Sequence, residues 1–182
     1  MNILMIFCNN PLKVSGAVTF DLFNEFKAKG HHVKLLVNTY DANYPGDIIC
    51  METFYSVWKN RIINKIKRTL GLAKKNNTNA RYHFHEIDDR TMYYKTDKLL
   101  SKAGIKPDAI IILFAKNFIN AQNIYELHQK TGKPVYWMMY DTSPLTGGCH
   151  YTWDCLGYQN SCGNCPGLFS DNPSDITHQN LL

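Results

Sequence analysis

The sequence predicts a Rossmann-like α/β domain, with a doubly wound, mainly parallel sheet and helices on both faces. Apolar runs typical of strands buried on both sides alternate with longer segments of helical period, and this alternation recurs along the chain. The chain has 182 residues, of which 45% are hydrophobic, and that is enough for one domain with a sizeable core. We therefore expect a single domain over residues 1–182.

The first predicted unit is a strand, a loop, a helix and a second strand. "NILMIFC" (residues 2–8) is apolar at every position after Asn2, which is typical of a central parallel strand. After the loop "NNPLKVSG", Ser15 is predicted to cap a helix, on which Val18 and Phe26 belong to the buried face. Gly30 is predicted to end this helix, and "HVKLLVN" is predicted to form the next strand.

The second half of the chain repeats this order. "KPDAIIILF" predicts a strand, "NFINAQNIYELHQKTG" predicts a helix that ends at Gly132, and "KPVYWMMYD" predicts a strand that ends at Asp141. In open α/β sheets, ligands bind beyond the carboxyl ends of the strands. A ligand crevice is therefore expected at the strand ends, which are residues 8–16, 38–40, 114–117 and 140–146.

The loop before the first helix contains Gly16 and is a candidate contact with a substrate. Backbone N–H groups and the positive end of a helix could face an anion such as phosphate there. The loop lacks the G-x-G-x-x-G spacing of dinucleotide-binding loops, so a plain connection between strand and helix is an equal alternative.

Residues 54–75 form a basic segment of amphipathic helical period. The whole chain has a formal charge of +5, and this segment has seven cations and no acid. Its apolar residues recur every four positions, at Phe54, Trp58, Ile62, Ile66 and Leu70. The segment is either an ordinary surface helix with solvated charges or a contact with an anionic membrane surface. No nucleic-acid-binding motif accompanies it, so no nucleic-acid partner is expected.

Four of the six cysteines lie close together, in the pattern C-x5-C-x6-C-x2-C, at Cys149, Cys155, Cys162 and Cys165. Gly163 and Pro166 favour tight turns around "CGNC", so four thiolates could converge on one tetrahedral Zn²⁺ ion. Two disulfides, an iron–sulfur cluster or no shared role are the alternatives. A redox dithiol is disfavoured, because such a pair normally begins a helix directly after a strand.

The expected compartment is the cytoplasm, because the sequence has neither a signal peptide nor an apolar run of about 20 residues. The cytosol keeps thiols reduced, which favours zinc over disulfides. His83 and His85 in "YHFHE" lack a spaced set of further ligands, so no metal site is expected there.

"GKPVYWMMYDTSPLTGGCHYTWDCLGYQNSCGNCPGL" resembles a segment of a bacterial subset of the family 4 (group 1) retaining glycosyltransferases, and "TGGCHY…CGNCP" is its most specific part. "NILMIFCN…SGAVTFDLFNEFKAKGHHVKLLVN" and "KPDAIIIL" are similar to upstream parts of the same family, so the resemblance spans essentially all 182 residues. It implies the N-terminal, acceptor-side domain of a GT-B enzyme, with a cysteine-rich loop at 146–168.

The resemblance also implies a function in sugar transfer. The full enzyme would move a sugar from a nucleotide-sugar to a cell-envelope glycan or a lipid-linked acceptor, at the inner face of the plasma membrane. The C-terminal domain that binds the nucleotide-sugar would be supplied in cis or in trans, so we expect this chain to be inactive alone. A non-catalytic, zinc-stabilised module that binds carbohydrate or a protein partner is the alternative.

The resemblance nominates substrate-binding residues but no catalytic residue. Family members commonly have His-Asp where this chain has Tyr140 and Asp141, and that histidine is expected to contact the donor sugar. Tyrosine keeps a hydroxyl but cannot be a cation. Asp141 could accept hydrogen bonds from sugar hydroxyls, and paired glycines let a loop approach a ligand closely. The nominated residues are Gly16, Tyr140, Asp141, Gly147, Gly148 and His150.

Overall fold

A computed structural model describes residues 1–71 and 92–167 of the chain. Its centre is a five-stranded parallel sheet with the strand order β3-β2-β1-β4-β5. The strands are β1 (Asn2–Phe7), β2 (His32–Val37), β3 (Ile48–Cys50), β4 (Ala109–Phe114) and β5 (Val135–Trp137). The helices are α1 (Ala17–Ala28), α2 (Phe54–Thr69), α3 (Thr96–Ala103) and α4 (Ala121–Thr131). The predicted Rossmann-like α/β fold is confirmed.

Strand β1 is central, as predicted, and contributes to a core on each face of the sheet. Leu4 and Ile6 belong to one cluster of buried residues, which also contains Leu99 of α3 and Leu127 of α4. Met5 belongs to the other cluster, together with side chains of β2 and α1. Successive residues of a strand point to opposite faces, so a continuously apolar strand requires cover on both sides. The helices supply that cover.

Helix α1 begins later than predicted. Residues Val14–Gly16 form a short 3-10 turn, Gly16 is the N-cap residue, and the cap has no side-chain hydrogen bond. The prediction that Ser15 caps this helix is therefore wrong. Val18 is 63% exposed, whereas Thr19 and Phe23 are buried. The buried face of α1 therefore passes through Thr19 and Phe23, and the prediction for Val18 is wrong.

Strand β5 is shorter than predicted, and two short elements were not predicted. The backbone of β5 pairs with β4 up to Trp137, and the chain then turns toward a 3-10 helix at Ser143–Leu145. The two elements that were not predicted are β3, which has three residues, and α3, which has eight. Both are too short for a hydrophobic period to be recognised in the sequence.

Helix α2 matches the predicted amphipathic segment, and much of its apolar side is open to solvent. Trp58 is 54% exposed, Ile66 is 52% exposed and Leu70, just after the helix, is 64% exposed. Among the described helices, none is both long enough and apolar enough to cross a membrane. The predictions for residues 72–75, for His83 and His85, and for residue 168 at the end of the cysteine loop fall outside the described residues.

Candidate functional site

A crevice lies at the carboxyl edge of the sheet, between β1 and β4. The chain continues from β1 toward β2 on one side of the sheet, while β4 and β5 lie on the other side, so the strand order reverses here. This is where doubly wound folds bind their ligands. The crevice contains a cavity of about 340 Å³, lined by Phe7, Asn9, Ser15, Val18, Thr19, Phe114, Tyr140 and His150.

A smaller cavity of about 70 Å³ adjoins the first and shares Phe114 and Tyr140 with it. Its other lining residues come from the end of β4 and the segment that follows it, from the end of β5 and from the loop after β5. Asp141 and Gly148 are among them, so two nominated residues from either end of this loop reach the same cavity.

Asp141 and His150 form a close pair at this site. His150 Nδ1 lies 2.5 Å from Asp141 Oδ2, and the side chain of Asp141 is only 2% exposed. The other carboxylate oxygen of Asp141 accepts hydrogen bonds from the Ser143 backbone N–H, at 2.9 Å, and the Ser143 hydroxyl, at 2.6 Å. A carboxylate only accepts hydrogen bonds, so Nδ1 of His150 donates and the ring orientation is fixed.

Two aromatic rings hold His150 in addition to Asp141. The ring of Phe114 meets it edge-on with centroids 6.1 Å apart, and the ring of Tyr151 does so at 4.2 Å. His150 lines the larger cavity from this position. An imidazole fixed in this way has a defined hydrogen-bonding direction, which suits the positioning of a polar ligand group.

Tyr140 lines both cavities and has a neutral hydroxyl. Burial raises the pKa of Tyr140, and this effect outweighs a hydrogen bond with the Thr19 side chain, which lowers it. The phenol therefore stays protonated at neutral pH and can both donate and accept a hydrogen bond. It reaches across from the loop after β5 to the first turn of α1.

Gly16 shapes the crevice without lining either cavity. A Cβ atom at this position would lie 2.5 Å from the Cα atom of Pro11 and closer still to the carbonyl oxygen of Asn10. The loop after β1 can therefore fold back against the start of α1 only if residue 16 has no side chain. Its neighbour Ser15 is the residue that faces the cavity.

The four loop cysteines surround a third cavity, of about 20 Å³. Gly147 also lines it, and the Gly147 backbone N–H donates to Cys162 Sγ at 3.3 Å. All six cysteines lie within the described residues, and none of them is in a disulfide. Within residues 1–71 and 92–167, no three His, Cys, Asp or Glu side chains already form a metal-binding group.

The cysteine loop and the crevice are joined through the backbone of residues 149 and 150. The hydroxyl of Thr142 donates to the carbonyl oxygen of His150 at 2.9 Å. The hydroxyl of Thr146 donates to the carbonyl oxygen of Cys149, also at 2.9 Å. Because Cys149 directly precedes His150, the geometry of the cysteine loop helps to fix the position of the imidazole.

The site residues after β5 were predicted from the sequence, but three polar residues of the site were not. Ser143 supports Asp141, Thr146 supports Cys149, and Thr19 contacts Tyr140. The spacing D-x-S is a local signal for the first of these, because an aspartate often accepts from the residue two positions later. The contact of Thr19 with Tyr140 joins distant parts of the chain and has no local signal.

Comparison of the chain with models of protein families, with curated proteins and with solved structures finds no match. The fold and the crevice are therefore established by the structure alone. Membership in the family suggested by the cysteine-rich motif is a hypothesis, and it rests only on the sequence motif of this chain.

Proposed function

We propose that this chain is the acceptor-binding domain of a retaining glycosyltransferase, which moves a sugar from a nucleotide-sugar to a cell-envelope glycan or a lipid-linked acceptor. The observation that carries the proposal is the convergence of Tyr140, Asp141 and His150 on a crevice at the reversal of strand order. Asp141 and His150 occupy positions at which the sequence matches that family, and Tyr140 stands where its members commonly have histidine.

The chemistry of the crevice suits a sugar. A sugar presents hydroxyl groups at its edge and C–H groups on its faces, so its sites combine polar groups with aromatic surfaces. Tyr140, Asp141 and His150 offer donors and acceptors, while Phe114 offers an aromatic surface beside them. An exposed crevice with these groups supports binding of an acceptor but does not by itself hold an activated donor.

We expect the isolated chain to show no sugar transfer above background. Transfer needs donor and acceptor held together, and this positioning can supply about 7–11 kcal/mol of the barrier. The measurement is transfer from a panel of labelled nucleotide-sugars to lipid-linked acceptors. Fusion to, or mixing with, a donor-binding domain of the same family should produce turnover. Turnover by the 182 residues alone would contradict the proposal.

The same proposal predicts glycan binding that depends on Tyr140. Loss of its hydroxyl and ring should weaken binding about thirtyfold, since one hydrogen bond and one ring contact are each worth about 1 kcal/mol. Tyr140→Ala is compared with Tyr125→Ala, an exposed tyrosine of α4 outside the crevice. A chain that binds glycan through Tyr140 but gives no turnover with any donor domain would instead be the non-catalytic module.

We further propose that α2 binds an anionic membrane surface, where lipid-linked acceptors are located. At about 100° per residue, the exposed apolar side chains fall within an arc of about 140°. They are Tyr55, Trp58, Ile62, Ile63 and Ile66, followed by Leu70. Lys59, Lys65, Lys67 and Arg68 are exposed on the same helix, which has no acidic residue. Lys59 lies within this arc, while Lys65 and Lys67 lie just beyond its two edges. Such a combination of apolar residues and cations is typical of helices that lie on anionic bilayers.

In a flotation assay, we expect the chain to rise with anionic vesicles and to stay behind with neutral ones. Each cation near such a surface is worth about 1 kcal/mol, so Lys65→Gln/Lys67→Gln should weaken binding about thirtyfold at low salt. The control, Lys29→Gln/Lys133→Gln, removes the same charge from exposed positions outside α2. Equal recovery with both kinds of vesicle, or equal loss in both variants, would reject the membrane proposal.

A further inference from the structure

We propose that Cys149, Cys155, Cys162 and Cys165 bind one structural Zn²⁺ ion, which fixes the loop that positions His150 at the crevice. The inference depends on the cysteine loop alone, so it stands or falls independently of the proposed sugar transfer.

All four sulfur-bearing side chains face one small space. The cavity of about 20 Å³ is lined by the four cysteines together with glycines, Thr152, Tyr158 and Pro166. A volume of about 10–15 Å³ by this measure is enough for one water-sized occupant. The space therefore has room for one ion and is lined by no carboxylate, which matches a site built from sulfur alone.

Backbone N–H groups point at the sulfur atoms. Gly147 donates to Cys162 at 3.3 Å, Gly157 donates to Cys155 at 3.4 Å and Gly167 donates to Cys165 at 3.4 Å. A neutral thiol is a weak acceptor, whereas a thiolate is a strong one. Three separate N–H groups aimed at three of the four sulfurs therefore fit thiolates, the form in which cysteine binds a metal.

The fourth cysteine is close to the others. Cys149 is buried and lines the same small cavity as Cys155, Cys162 and Cys165. Without a cation, four neighbouring thiolates would repel one another in this enclosed space. A divalent metal ion offsets this repulsion, because its positive charge stabilises each thiolate that it binds.

The backbone at the "CGNC" turn is under strain that a bound ion can sustain. Ser161, Cys162 and Asn164 all have positive φ angles, of 74°, 54° and 47°, and Gly163 lies between them at 88°. Left-handed geometry costs a non-glycine residue about 1–2 kcal/mol. Three such residues within four positions need a compensating interaction, and coordination of the two cysteines in this turn by one ion provides one.

The four sulfurs do not yet stand in ligand geometry, since no metal-binding group is formed among the described residues. Rotation about the Cα–Cβ bond moves a sulfur without moving the backbone, and the proposed site would close on an ion through such side-chain rotations. Zn²⁺ fits best, because it takes four sulfur ligands tetrahedrally and needs no redox partner.

The test is elemental analysis of the full chain, purified in zinc-containing buffer without chelator. We expect about one zinc per chain in the wild type and in Cys50→Ser, and almost none in Cys155→Ser or Cys162→Ser. Cys50 is a suitable control because it lies in β3, away from the loop, as a half-buried free thiol. Circular dichroism shows whether each variant keeps its α/β fold, and a chelator should lower the melting temperature of the wild type.

A second measurement on the wild type does not depend on how the variants fold. Alkylation in denaturant with chelator, but without reductant, should label all six cysteines. Labelling of only two would indicate disulfides, and iron with acid-labile sulfide would indicate a cluster. Disulfides or an iron–sulfur cluster would each overturn the proposal. So would a wild type without metal, or zinc retained at full level by both loop variants.

Discussion

Replacement of Gly16 by alanine is expected to destabilise the protein by about 3 kcal/mol, at the upper end of the range for overpacking. The new Cβ atom would meet the backbone of Asn10 and Pro11, including a contact of 2.5 Å with the Cα atom of Pro11. Backbone atoms cannot rotate away as the end of a side chain can. The loop after β1 must therefore shift, and Asn9 and Ser15 in the crevice must shift with it.

The measurement is the free energy of unfolding in denaturant for Gly16→Ala and for a matched control, Gly46→Ala. A Cβ atom at Gly46 would have no neighbour within 4 Å, and its φ angle is not in the left-handed range. The control is expected to be neutral or slightly stabilising, because alanine restricts the unfolded chain more than glycine does. Equal stability of the two variants would show that the loop tolerates a side chain at residue 16.

The sheet could be predicted from the sequence because its signals are local. A run such as residues 3–7, buried on both faces, is apolar at every position, and each long helix shows its own period. The start of α1 could not be predicted in the same way. Ser15 is a good capping residue by type, but the 3-10 turn at Val14–Gly16 places Gly16 at the cap. That turn depends on the close contact with Asn10 and Pro11.

The candidate site was predictable in position but not in its internal contacts. The rule that ligands bind at the carboxyl ends of strands, together with the motif after β5, identified Tyr140, Asp141 and His150. No pattern of spacing predicts that the buried carboxylate meets the imidazole nine residues later, or that Thr19 meets Tyr140. Such contacts are set by how the loop folds over the sheet, and a hydrophobic period contains no information about them.

Asp141→Ala is expected to lower the free energy of unfolding at neutral pH by about 3 kcal/mol. The substitution removes the acceptor for three contacts, those from His150 Nδ1, the Ser143 N–H and the Ser143 hydroxyl. Hydrogen bonds to charged groups are worth about 1.5–3 kcal/mol each, and buried partners left alone cost more. Because the His150 side chain is about one fifth exposed, it can partly rehydrate, so the loss should stay below the full sum.

The comparison that isolates the role of the charge is Asp141→Asn. Asparagine keeps the shape and one acceptor oxygen for Ser143, so this variant should lose about half as much stability, while its amide can no longer hold His150 as a carboxylate does. Asp21→Ala, at an exposed position of α1, is the control and should be nearly neutral. If Asp141→Ala were as stable as Asp21→Ala, the pair with His150 would contribute nothing to the fold. Its remaining role would then lie in the crevice, where weaker glycan binding by Asp141→Asn would reveal it.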